Sequence, residues 1–246
     1  MKIVVLSPHR DDAAFSLGLS VAAWVAAGHK VAVVNVCTRS EWAPFSDADS
    51  VHENDRMSFV SALRHREDEA WRRRVGNAMI LVDLNLKDAP LRMHCSREEA
   101  QVVQVNVNDK TIAKVQKAVE ALKAGAVAIP MGLDADVDHR TVLAAAEKLA
   151  GTLPCCFYEE LPAALSLDVD AAARELSARV GVELMAAFAG GGEDAVKRKM
   201  RVAVGYDSQI NDATAEAIAE FATRCGGRER VWGNAAWVAA GLGVAE

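Results

Sequence analysis

The chain has 246 residues, 51% of them hydrophobic and 25% charged, with a formal net charge of −6. The apolar share is ample for the core of one domain spanning residues 1–246, whereas the acidic balance excludes a general nucleic-acid binder, which needs a basic face to neutralise phosphates. The apolar runs are too short and too rich in alanine to span a bilayer, and the five cysteines lack the C-x-x-C spacing of a cysteine zinc site.

Ile3–Leu6 is a short aliphatic run stopped by Ser7-Pro8, the pattern of a buried strand. No basic-then-apolar leader precedes it, which makes a reducing cytoplasm the expected setting. Asp11 and Asp12 stand where a helix cap and first turn belong, before an apolar-periodic helix closing near Gly28. Val31–Val36 is a second buried strand, so the segment predicts a right-handed βαβ unit with parallel strands. Residues from Thr38 to Asn54 are polar and without period, and predict a long loop of the kind that often carries function. Arg56–Arg74 predicts a helix ending before Gly76, with Arg72, Arg73 and Arg74 on a solvated face, and Met79–Leu84 a third strand. A helix over Thr111–Lys123 is followed by a strand over Ala126–Ile129. After Pro130 comes a loop with Asp134, Asp136, Asp138 and His139, then a helix to about Leu149. Cys155–Tyr158 fits another strand, and helices are expected over Asp170–Arg179 and Glu193–Val204, separated by the break at Gly190-Gly191-Gly192. The alternation predicts an α/β chain with a Rossmann-like three-layer fold and a mostly parallel sheet.

In open parallel sheets, ligands bind beyond the carboxyl ends of the strands. Two clusters fall there: Ser7-Pro8-His9-Arg10-Asp11-Asp12 and Asp136-Val137-Asp138-His139. The first lacks the G-x-G-x-x-G of a dinucleotide loop. It offers instead an imidazole and a carboxylate three residues apart on a tight turn, a spacing that lets His9 and Asp12 converge on one ion while Asp11 points elsewhere. His139 can add a third ligand from a neighbouring strand. Three N/O ligands with one open position is the pattern of a catalytic zinc site. The competing reading makes Asp11 and Asp12 helix caps and His9 a satisfied histidine at a strand end.

The motif Ser7-Pro8-His9-Arg10-Asp11-Asp12-Ala13 resembles the "(A/S)-H-P-D-D-E" motif of the PIG-L/LmbE-like zinc-dependent N-deacetylases. Asp136-Val137-Asp138-His139 is similar to that family's "H-x-D-H". Further echoes follow in family order: Arg64-His65-Arg66-Glu67, Asp88-Ala89-Pro90-Leu91-Arg92, Tyr158-Glu159-Glu160-Leu161-Pro162, and Lys199 with Tyr206-Asp207-Ser208-Gln209. The resemblance runs from Lys2 to about Trp232. It implies one Zn2+ per chain on His9, Asp12 and His139, with Asp11 as general base. It further implies that Asp138 orients His139 or meets a charged partner, and that Arg64 holds substrate hydroxyls or a phosphate. The implied substrate is a small amino sugar of the N-acetylglucosamine type or its glycoconjugate. A homo-oligomer is left open, as are an amidase acting on another small amide and a metal- or sugar-binding protein that has lost turnover.

Two departures mark this chain. Arg10 replaces the usual proline and is expected to add charge at the mouth of the site, next to substrate. Asp136 stands where the family has a histidine thought to stabilise the oxyanion, and an ionised carboxylate cannot donate a hydrogen bond. Asp136 is therefore expected to turn from the metal and pair with Arg10, leaving Tyr206 as a substitute donor.

Overall fold

Each parallel strand of the centre is an almost unbroken run of buried residues, as it must be when helices cover both faces of a sheet. The computed structural model describes residues 1–221 and 225–245. In chain order, β1 (Lys2–Ser7), α1 (Asp12–Ala26) and β2 (Lys30–Arg39) form the first βαβ unit; α2 (Glu53–Val75) then leads to β3 (Met79–Lys87). Two short helices, α3 (Ala89–Met93) and α4 (Arg97–Val102), precede α5 (Lys110–Leu122), β4 (Ala126–Pro130), α6 (Val137–Ala146) and β5 (Cys155–Tyr158). The remainder is α7 (Val169–Val180), β6 (Met185–Ala189), α8 (Ala195–Ala203), α9 (Asp212–Phe221), β7 (Glu229–Gly233), α10 (Ala235–Ala239) and β8 (Val244–Ala245).

The described strands make one sheet in the order β3-β2-β1-β4-β5-β7-β6-β8. The first five are mutually parallel, while β7 runs antiparallel to both β5 and β6. The α/β expectation and the mostly parallel sheet therefore hold, with an antiparallel extension that the sequence does not announce. Chain order reverses between β1 and β4, which pair directly through Ile3–Ala126, Val4–Val127 and Val5–Ala128. Reversal opens a crevice beyond their carboxyl ends. The turn after β1 and the loop after β4 carry the two motifs, and the strand order brings them side by side.

Helix α1 is buried along most of its length, from Asp12 to Val21 and at Trp24. Its second half lies against the break at Gly190, where φ is +75° and an added Cβ would sit 2.7 Å from Leu19 Cβ. Only glycine fits that approach without strain. Trp71, Phe157 and Trp237 are fully buried in the core around the sheet, each worth roughly 1.5–3 kcal/mol or more relative to exposure.

Candidate metal centre and its cleft

The turn after β1 is held by its own side chains. Ser7 Oγ accepts from the Ala13 N–H at 3.0 Å, and Asp12 Oδ2 accepts from the His9 N–H at 2.6 Å. These bonds do the capping work, so Asp11, at the N-cap position of α1, makes no side-chain cap bond. Its carboxylate is directed into the cleft and receives Arg64 of α2 at 2.7 Å. The cap reading of Asp11 is thereby removed for its side chain, and Arg64 is drawn to Asp11 and not to Glu67, three residues further along α2. Glu67 instead accepts the Ser208 N–H and hydroxyl, both at 3.0 Å.

His9, Asp12 and His139 lie within reach of one ion. His9 Nδ1 is 3.2 Å from His139 Nε2, and Asp12 Oδ2 is 3.6 Å from the former and 3.5 Å from the latter. Bonds of 2.0–2.1 Å at tetrahedral angles place zinc ligands about 3.4 Å apart, so the spacing fits. The outer partners fit as well. His139 Nδ1 lies 2.7 Å from Glu160 Oε1, and His9 Nε2 lies 3.3 Å from Asp138 Oδ2. Each carboxylate claims the N–H of its imidazole and turns the other nitrogen's lone pair toward Asp12. Two lone pairs and a carboxylate facing one another across such distances repel unless a cation lies between them.

The carboxylates around the two imidazoles favour positive charge at this point. Burial pulls His139 down, but Asp12 and Glu160 outweigh it and hold the imidazole well above the ordinary value. Burial pushes the Asp12 carboxyl up to about 6 against the pull of His139 and His9. Asp138 is raised by burial yet ends well below the usual carboxylate range, because His9 and Arg92 stabilise its charge. Arg92 reaches Asp138 at 2.7 Å, and the Ala89 N–H donates to it at the same distance. Asp138 thus orients His9, not His139; Glu160 has the second duty. Glu160 lay within a quoted motif, and its place at the carboxyl end of β5 was the available signal.

Three sequence expectations need correction. Arg10 is not at the mouth: it is 4% exposed, and its guanidinium donates to Asp68 at 2.9 Å and to Asp83 at 2.6 and 3.1 Å. It therefore pairs with carboxylates of α2 and β3, not with Asp136. Tyr206 is fully buried and donates to Asp68 at 2.7 Å, which removes it from the cleft. Asp136 does not turn away. It faces the cleft as the N-cap of α6, accepting the Asp138 N–H at 2.8 Å. His9, Asp136 and Asp138 form a second group of clustered donors around the same imidazole.

The cleft above these groups has an empty volume of about 750 Å³. Its walls include Phe15, Pro162 and Gln209, together with Asp134, which the sequence placed in the loop after Pro130, and Trp42 and Arg97, which the sequence reading did not single out. Trp42 lies in the expected long loop, and nothing periodic there marks it. Asp134 accepts the Asp136 N–H at 2.9 Å and so shapes the loop before α6.

The sequence profile of PIG-L, the GlcNAc-PI de-N-acetylases, matches residues 4–150. No protein of curated function matches the chain by sequence. A solved deacetylase of the teicoplanin biosynthesis pathway superposes with a TM-score of 0.70 at 17% identity, over 95% of this chain and 97% of that one. The N,N'-diacetylchitobiose deacetylase from Pyrococcus horikoshii gives a TM-score of 0.58 at 16% identity, over 94% and 82% of the two chains. The 4-carboxy-2-hydroxymuconate hydratase from Pseudomonas putida gives 0.58 at 10% identity, over 95% of each. At such identities the likeness carries the fold alone, and the hydratase shows that this fold hosts more than one reaction.

Proposed function

The chain belongs to the PIG-L family of de-N-acetylases, and from that premise we propose that it is a zinc-dependent hydrolase removing an N-acetyl or N-acyl group from an amino sugar or its glycoconjugate. The observation that carries this reading is the convergence of His9 Nδ1, Asp12 Oδ2 and His139 Nε2 at 3.2–3.6 Å at the edge of an open cleft. Those three residues would hold the metal. Zinc held there lowers the pKa of water to about 7 and polarises the amide carbonyl.

The chain's own residues divide the remaining work. Asp138 and Glu160 fix the two imidazoles in the tautomers that present lone pairs. Asp11 is the general base: one carboxylate oxygen takes the Arg64 bond, which leaves the other to accept the proton of the attacking water. Arg64 is thus a positioning residue for the base, and its cleft-facing side remains available to substrate hydroxyls. Asp134 and Asp136 line the same wall and are placed to accept hydroxyl bonds from a sugar. Two proteins of this fold, a diacetylchitobiose deacetylase and a deacetylase of the teicoplanin pathway, support an amino-sugar scaffold by the activities they are named for. Asp136 in the family's histidine position favours a second reading, a metal- or sugar-binding protein that has lost turnover.

Metal analysis and acetate release from N-acetylglucosamine compounds separate these readings. We expect one zinc per chain, lost in His9→Ala and in His139→Ala. We expect Asp11→Asn to keep the zinc and lower kcat by about a hundredfold or more, the usual scale for losing a positioned proton acceptor. Full zinc in both histidine variants would remove the assigned site; zinc without acetate release would select the binding reading.

A further inference from the structure

Charges in the cleft are mostly spoken for. Asp11 is paired with Arg64, Glu160 with His139, and Asp138 lies behind His9 with Arg92. Arg97 has no such close partner, and the more distant charge of Asp134 acts on it across the cleft. It lines the cleft, and among the described residues no carboxylate lies within ion-pair distance of it. Its guanidinium carbon sits 4.3 Å from the centre of the Trp42 ring. A cation on an aromatic face is held in place while its N–H edge stays open to a ligand.

Trp42 is itself fixed from behind. Its carbonyl accepts Gln209 Nε2 at 3.3 Å, and its N–H donates to Ser40 Oγ at 3.0 Å. Gln209 Nε2 also donates to Ser208 Oγ at 2.8 Å, and Ser208 is tied to Glu67 of α2. Yet Trp42 is 43% exposed. An anchored backbone bearing an exposed ring under an unpaired arginine is a built recognition element, and it forms one wall of the cleft that holds His9 and His139.

We infer that Arg97, stacked on Trp42, is a specificity-determining residue that grips an oxyanion, a carboxylate or a phosphate, carried by the amino-sugar substrate outside its scissile amide. The planar fork of arginine matches both groups, each of which offers two acceptor oxygens. The inference rests on the deacetylase reading and adds the charge of the substrate to it. A neutral amino sugar would leave Arg97 with no anion at ion-pair distance.

The zinc-loaded protein would be assayed for acetate release from N-acetylglucosamine, N-acetylglucosamine 6-phosphate and N-acetylmuramic acid. At least one anionic sugar is expected to exceed the neutral one by about tenfold or more in kcat/KM, the scale of a charge-assisted contact. The two anionic probes distinguish phosphate from carboxylate. In Arg97→Met that ratio should fall to near one, chiefly through KM, and Arg97→Lys should restore part of it. A wild-type ratio near one, or a ratio unmoved in Arg97→Met, overturns the inference while leaving deacetylation standing. If no sugar releases acetate, the deacetylase reading fails instead. Calorimetry of the same two anionic sugars on zinc-free protein then decides: equal affinities for wild type and Arg97→Met overturn the role of Arg97.

Discussion

At the scale of single residues, His9, Asp12 and His139 come within 3.2–3.6 Å of one another because two strand ends meet, whereas the groups around them depend on partners remote in sequence. His9, Asp12 and His139 are legible because a histidine and carboxylates at strand ends need only the strand order to meet. Arg10 and Tyr206 were misplaced because nothing in their neighbours tells which way a side chain leaves a turn. Both point beneath the site, into the carboxylates Asp68 and Asp83, and both partners lie far off in sequence. Asp136 was misjudged for a different reason. Electrostatics argued that it should leave the cleft, but helix α6 needs an acceptor at its N-cap, and the Asp138 N–H holds the carboxylate where it is. Removing that cap costs about 1 kcal/mol. Asp136→Ala is therefore expected to lower stability by that amount, and to loosen the turn that places Asp138 and His139. Asp136→Asn keeps an acceptor and should keep the stability. If the carboxylate opposes charge building on the amide oxygen, Asp136→Asn should also match or exceed wild type in kcat on N-acetylglucosamine compounds. Paired urea titrations and kinetics of the two variants check this; a large loss of kcat in a stable, zinc-filled Asp136→Asn would give the carboxylate a direct part in the reaction.

At the scale of elements, helix α1 shows why a motif residue can be structural. The helix kinks at Leu17, where φ is −124° and ψ is 16°. The segment after the kink starts afresh, and its leading N–H groups need acceptors. The Glu229 carboxylate of β7 supplies them, accepting from Leu19 at 3.0 Å and Ser20 at 2.7 Å. Lys199 of α8, from the last quoted echo, is buried against the same carboxylate. Three elements thus meet on one charge, outside the lining of the cleft. Removing one member of a buried pair strands the other at a cost of about 3–5 kcal/mol. Lys199→Met is expected to lose that much, while Lys199→Met with Glu229→Gln, which removes the charge but retains an acceptor, should recover most of it. Urea unfolding of the single and double variants measures the coupling, and additive losses would show that the pair does not act as a unit.

At the scale of the whole molecule, the parallel half was legible and the antiparallel half was not. The strands β1 to β4 are largely aliphatic runs and β5 is the apolar run Cys-Cys-Phe-Tyr, whereas β6 reads Met-Ala-Ala-Phe-Ala and β7 carries Glu229 and Arg230, patterns without a strand signature. Partners across the sheet, not local propensity, make them strands. The same long-range tying links the cleft wall to the helix below it through Glu67, which joins α2 to Ser208 and onward to the loop of Trp42. Burial pushes the Glu67 carboxyl up to about 7, against the Ser208 bonds and Arg64 that favour its charge. A protonated Oε2 can still donate to Ser208 Oγ, so the geometry accepts the neutral acid. The sign follows from proton counting. Between the ordinary carboxylate range and about pH 7, folded Glu67 holds a proton that the unfolded chain has released. Its contribution to stability is then present at low pH and is lost as pH rises through that window. Lowered carboxylates such as Asp134 and Asp138 act in the opposite sense, so wild type alone would not isolate it. Glu67→Gln does isolate it, since the amide keeps an acceptor for the Ser208 N–H and a donor for its hydroxyl at every pH. The unfolding free energy of Glu67→Gln minus that of wild type should therefore grow by about 1–3 kcal/mol between pH 5 and pH 8. A difference that stays constant across that range would mean that Glu67 is ionised throughout, held so by Ser208 and Arg64.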